Sequence, residues 1–201
     1  MEKTIIIGYQ YKGDNSLYGC SKDISLVKNW AIRKHLQYYI FSDINIEGEK
    51  VIKPNNLYDF ICHVKKLCKN CKKLTIYFSG HGENDKFITP FGILDLEILF
   101  NEIILKVGYN CEIFWCMDSC NNIFLENLMR RNTSIIRTMS NIKIMILFSS
   151  SNNISYSNED GSLFTRIFFK DSQYKIPSLK NIDNLMESIS EKYKQGIIVY
   201  S

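Results

Sequence analysis

The chain has little of what usually divides, staples or anchors a polypeptide. It carries only 3 Pro and 10 Gly in 201 residues, with no Pro-, Gly- or Ser-rich linker, internal repeat or low-complexity tract, so a second domain is not indicated. No run approaches the roughly 18 consecutive apolar residues of a helical membrane span, so no membrane association is expected. Charge of one sign is lacking too: 25 Lys+Arg stand against 21 Asp+Glu, and the basic residues are scattered without aromatic platforms, which argues against nucleic acid. The N-terminal MEKTIIIGYQYKG has no cleavage-site pattern and reads as a first core strand rather than a signal peptide. Seven cysteines is an odd number, and without a secretory signal the expectation is reduced thiols in the cytoplasm. The single CxxC, Cys68–Cys71, has neither a second CxxC nor a His pair at metal spacing. Zinc needs four ligands, so the stretch reads as a helix end entering a loop.

What is present is a core. At 45% hydrophobic the chain can bury one full domain spanning residues 1–201. Six short apolar runs stand out: Thr4–Tyr9, Tyr38–Phe41, Lys73–Phe78, Ile113–Met117, Ile144–Ser149 and Ile197–Tyr200. Most are continuous rather than alternating, the pattern of strands covered on both faces. Between them lie segments of helical spacing. Ser21 is placed to cap a helix carrying Ile24, Val27, Trp30 and Ala31, and Asn55 or Asn56 one carrying Phe60, Ile61, Val64 and Leu67. Asp95 precedes LEILFNEIIL, and Asp183 precedes NLMESISEKY. Strands alternating with helices predict an α/β three-layer sandwich: a six-stranded, mostly parallel central sheet with helices on both faces. Residues 121–142 are long for a connection and read as a helix followed by a loop; 151–161 read as a polar surface loop.

In open α/β sheets reactive groups gather beyond the carboxyl ends of the strands. His81, in YFSGHG, follows the third apolar run, and Cys120, in WCMDSC, follows the fourth. A thiol and an imidazole in one cleft are the parts for covalent acyl transfer, the thiolate attacking a carbonyl while the imidazole handles protons. Gly82 lets backbone approach a substrate closely, and its amide with that of Cys120 would form an oxyanion hole. Taken singly, a Gly-His-Gly turn is also an ordinary tight loop, and a strand cysteine also an ordinary small buried hydrophobe.

The residues together resemble the caspase-like cysteine peptidases, and among them the metacaspases. TIIIGYQYKGDNSLYGCSKDISLVKNW is similar to that family's first strand, GINY-type turn and GC-x-x-D helix start. YFSGHG is similar to its histidine motif, MDSC to its DxC nucleophile motif, and LFSSSNNISYSNEDGSLFTRIFF to its fifth strand, polar loop and GxFT helix. The resemblance implies a caspase-like fold, a His81–Cys120 dyad, and cleavage after Arg or Lys in peptide or protein substrates by a monomer. It implies substrate binding by Asp23, Asp118 and Ser79, a carboxylate pair suited to a guanidinium. Asp23 also reads as a first-turn residue favourable to the helix dipole, and Asp118 as a strand-end residue binding backbone. Self-processing at Arg130, Arg131, Arg137 or Lys143 is a further implication; the same residues also read as a solvated loop face. Many metacaspases bind calcium on an acidic loop after the histidine motif. Here ENDKFITPFGILD supplies Glu83 and Asp85 but no run of carboxylates, so no cofactor or metal is expected from these residues, and calcium dependence stays an implication of the resemblance alone. The family's His-Ser-Gly after the nucleophile is replaced by Asn121-Asn122-Ile123. A different reading is a caspase-fold scaffold or decoy that binds partners with weak or no turnover; a third is a thiol redox or metal protein using the CxxC.

Overall fold

A computed structural model describes residues 1–83, 86–108, 110–120, 142–149, 157–170 and 197–199. Strand β1 (Glu2–Gly8) leads into helix α1 (Cys20–Arg33), then β2 (Gln37–Ser42), a short β3 (Val51–Ile52) and α2 (Leu57–Cys68). Next come β4 (Lys73–Ser79), the small strands β5 (Gly82–Glu83), β6 (Lys86–Thr89) and β7 (Gly92–Asp95), and α3 (Leu96–Ile104). The remainder holds β8 (Glu112–Asp118), β9 (Lys143–Phe148), a hairpin of β10 (Ser157–Asn158) and β11 (Gly161–Ser162), a helical segment from Leu163 to Lys170, and β12 (Ile197–Val199).

The main sheet runs β12-β9-β8-β4-β1-β2-β3, with β12 antiparallel to β9 and every other neighbouring pair parallel. All six apolar runs of the sequence are strands of this sheet, and the fold is the expected caspase-like three-layer α/β sandwich. Sequence reading missed β3, which is too short to carry a pattern, and the antiparallel β5-β6-β7 sheet built from the segment after His81.

Continuous apolar runs are required because successive side chains of each strand enter different cores. Ile5 and Ile7 of β1, Leu74, Ile76 and Phe78 of β4, and Ile113, Trp115 and Met117 of β8 pack with α2 and α3. Ile6, Tyr77, Phe114 and Cys116 point the other way, to α1 and to Phe164, Phe168 and Phe169. Trp30 meets Phe169 edge-on at 5.3 Å, and Tyr77 meets it at 5.4 Å.

Two caps match the sequence reading. Asn56 accepts from the Asp59 amide, and Asp95 accepts from Glu97 and Ile98 amides. The third does not: α1 begins at Cys20 with Gly19 at the cap, so Ser21 lies inside the helix. Asp183 and the Asn121–Ile123 stretch lie outside the described residues, as do Asp85 and residues 151–156. Among the described residues no helix is long and apolar enough to cross a membrane.

Removing side-chain volume at Ile6, fully buried between α1 and the sheet, leaves a cavity the fixed strands cannot close. Ile6→Ala should lower unfolding free energy by about 2–5 kcal/mol in urea titrations. The same change at Ile93, 61% exposed on β7, should stay below about 1 kcal/mol.

Candidate functional site

Parallel pairing aligns the carboxyl ends of three strands. Gly8 of β1 pairs with Ser79 of β4, and Ser79 pairs with Asp118 of β8. His81 and Cys120 therefore each sit two residues beyond the same register line. The Gly80 amide donates to the Asp118 carbonyl at 3.3 Å, continuing the ladder one step. Beyond it the two motifs are in contact. A Cβ on Gly82 would lie 2.8 Å from the Cys120 carbonyl oxygen and 2.8 Å from Ser119 Oγ. Only glycine lets the histidine turn and the cysteine turn approach this closely. His81 and Cys120 are both half-buried.

The imidazole is held by groups that the sequence reading did not single out. His81 Nε2 lies 2.8 Å from the Asn15 carbonyl oxygen. A carbonyl can only accept, so Nε2 carries a proton in this contact, which leaves Nδ1 as the nitrogen able to exchange one. The Asn15 carbonyl is presented by a loop of unusual backbone. Tyr11 has φ 61°, in the left-handed region, and Asp43 at the end of β2 fixes it there. The Asp43 carboxylate accepts the Gln10 amide at 2.8 Å and the Tyr11 amide at 2.7 Å. The Tyr11 ring lies against His81, centroids 4.6 Å apart. Its hydroxyl accepts the His81 amide at 3.0 Å and donates to the Ile88 carbonyl at 2.5 Å. Burial pushes the Tyr11 phenol well above its ordinary range, so it stays a donor. The Ile88 amide donates back to the His81 carbonyl at 3.0 Å, which ties the small β5-β6-β7 sheet to the same turn. A non-glycine φ > 0 cannot be read from residue type, which is why Tyr11 gave no signal.

Asp23, Ser79 and Asp118 converge as one cluster, all nearly inaccessible to solvent. Ser79 Oγ donates to Asp23 Oδ2 at 3.0 Å, and the Ser162 amide donates to Asp23 Oδ1 at 2.8 Å. Asp118 Oδ2 accepts from Thr165 Oγ1 at 2.7 Å and from Ser162 Oγ. Thr165 Oγ1 also meets the Tyr77 hydroxyl at 2.5 Å. Burial first, and the neighbouring Asp118 carboxylate second, hold Asp23 above the ordinary carboxylate range. The Ser162 and Ser79 hydrogen bonds and the Arg166 charge act in the opposite direction. Ser162, Thr165 and Arg166 were not anticipated. Their signal was the hydroxyl residues and the Arg set between apolar residues in GSLFTRIFF.

A crystal structure of protein GSU0716 from Geobacter sulfurreducens has a similar fold, with a TM-score of 0.65 over 100% of this chain and 93% of that one, at 13% identity. No protein-family model matches the chain, and no curated protein matches it.

Of the self-processing residues, Arg130, Arg131 and Arg137 lie outside the described residues. Lys143 is not in a loop: it opens β9, pairs with Glu112 and donates its amide to the Cys111 carbonyl at 3.0 Å. Glu83 lies in β5, exposed, and among the described residues no group of three or more His, Cys, Asp or Glu side chains is placed to hold a metal ion. The CxxC thiols are buried, and burial pushes both Cys68 and Cys71 up, which leaves them poor nucleophiles and ligands.

The raised Asp23 carboxyl makes stability depend on pH. An acid whose folded pKa lies above its unfolded value near 3.8 stabilises the fold below that value, and the contribution is lost as pH rises through the folded pKa. Asp23→Asn keeps an acceptor for Ser162 and offers an amide to Ser79 without titrating. Wild-type melting temperature should therefore fall relative to Asp23→Asn between pH 5 and pH 9, followed by circular dichroism. Identical pH slopes in both proteins would mean that Asp23 ionises normally.

Proposed function

We propose that the chain is a cysteine endopeptidase of metacaspase type that hydrolyses peptide bonds after Arg or Lys. The observation that carries this reading is the contact between the His81–Gly82 turn and the Ser119–Cys120 turn, with the imidazole oriented by Asn15. Cys120 Sγ, as thiolate, attacks the scissile carbonyl carbon and forms a tetrahedral intermediate. The amides of Gly82 and Cys120 stabilise its oxyanion. His81, protonated on Nδ1, gives that proton to the leaving amine as the C–N bond breaks. Water then adds to the thioester while Nδ1 takes its proton, and collapse releases the acid and the thiol. Asn15 holds the ring in one tautomer through both halves, and Tyr11 fixes its position by a tilted ring contact and through the His81 amide.

Asp23 and Asp118, with Ser79, would receive the substrate cation. Two buried carboxylates held close together are unfavourable when both ionise, and an incoming guanidinium relieves this with charge-assisted bonds. It would enter by exchanging with the Ser162 and Thr165 hydroxyls. The enzyme would work in the cytoplasm as a monomer and without a cofactor. Self-processing, where it occurs, would fall at Arg130, Arg131 or Arg137, because cleavage beside Lys143 requires β9 to leave the sheet.

One observation favours the scaffold or decoy reading instead. Asp23 and Asp118 are already hydrogen-bonded within the chain, as structural carboxylates would be.

Fluorogenic peptides ending in Arg, Lys or Asp, tested with calcium and with a chelator, separate the two readings. The peptidase should release fluorophore from the Arg and Lys peptides only. Cys120→Ala and His81→Ala should each lower the rate at least ~10³-fold with unchanged melting temperature. Absence of turnover in the wild-type protein under both conditions would leave the scaffold reading. Intact-mass measurement should show any self-cleavage in wild type but not in Cys120→Ala, and with no fragment ending at Lys143.

A further inference from the structure

The residue after the imidazole, Gly82, packs against Ser119 and Cys120, while His81 itself faces a cavity. That cavity, of about 670 Å³, is shared with Tyr11, Lys12, Asn15, Asp43 and Ile88. That volume falls within the range of roughly 300–1,000 Å³ typical of ligand sites. Neither Cys120 nor the acidic pair lines it. The cavity is therefore distinct from the acidic pair assigned to the substrate cation, and His81 is the residue it shares with the proposed dyad.

The direction of the chemistry gives this cavity a role. In acyl transfer the imidazolium protonates the leaving amine, so the peptide on the leaving side of the broken bond must pass beside His81. The charged groups in the cavity differ in how far they are committed. Both Asp43 oxygens accept loop amides, Gln10 on one and Tyr11 on the other, which spreads that charge into the backbone. Lys12 is exposed at the rim and makes no ion pair among the described residues. Its ammonium is the uncommitted charge of the cavity.

We infer that the cavity is the subsite for the leaving-side segment of the substrate, and that Lys12 selects an acidic residue directly after the cleaved bond. This rests on the peptidase reading for the direction of the chain. The ligand class is an acidic peptide segment, with its carboxylate on Lys12 and its backbone over Ile88 and the Tyr11 ring.

Two measurements test it. In peptides that differ only in the residue after Arg, wild type should cleave Arg-Glu faster than Arg-Lys by about threefold or more at low salt, the ratio shrinking as salt is raised. Lys12→Glu, a change at an exposed side chain, should reverse that order. An order unchanged by Lys12→Glu, or a ratio independent of salt, overturns the assignment. Separately, acetyl-Glu-Ala-amide added to Cys120→Ala should shift the His81 ring signals in NMR more than acetyl-Lys-Ala-amide does, and Lys12→Glu should abolish the difference. Lys12-dependent binding without cleavage of any peptide would keep the subsite and remove the peptidase. Cleavage with no dependence on the following residue and no such binding would do the reverse.

Discussion

Everything at the site depends on one constraint: three parallel strands ending at the same level. Because β1, β4 and β8 pair in register, Ser79 has Gly8 on one side and Asp118 on the other. A slip of one residue would turn every side chain of a strand to the opposite core and separate the two motifs. The slip is prevented by burial, since odd and even positions of each strand are committed to different clusters. The juxtaposition of the histidine and cysteine turns is thus a by-product of core packing, held by the same side chains that keep the sheet covered.

Around this line the chain uses close approach rather than added groups. Gly8 leaves no room for a Cβ, which would meet Ile24 at 2.6 Å, and this lets α1 sit against the strand end with Asp23 beside Ser79. Gly82 does the same for the histidine and cysteine turns. Tyr11 supplies what glycine cannot, a rigid ring and a hydroxyl linking His81 to Ile88, and it accepts an unfavourable φ to do so. The Asp43 carboxylate offsets that strain by binding two consecutive amides.

The acidic cluster follows a different logic. Burying two carboxylates together is unfavourable, and here it is tolerated through hydroxyl and amide donors drawn from a distant part of the chain, residues 162–165. The same donors make the pair a closed structural unit and, on the peptidase reading, are what a cationic side chain would displace. This double character is why the peptidase and scaffold readings share so much of the geometry.

The sequence by itself determined the layers, six strands of the main sheet and the placement of His81 and Cys120 at strand ends, because buried-strand hydrophobicity and glycine flanks are local signals. It also determined two helix caps, where a side chain bonds an amide within its own first turn. It misplaced the start of α1, where no side chain caps, and passed over β3 and the β5-β6-β7 sheet, which are too short for a period to show. Only the tertiary structure decided the tautomer of His81, the roles of Tyr11, Asn15 and Asp43, and the closing of Ser162 and Thr165 over the acids. Each of these is a contact between segments far apart in the chain, made by main-chain atoms or by polar side chains common in any loop. Residue type does not mark such contacts; the register of the sheet creates them.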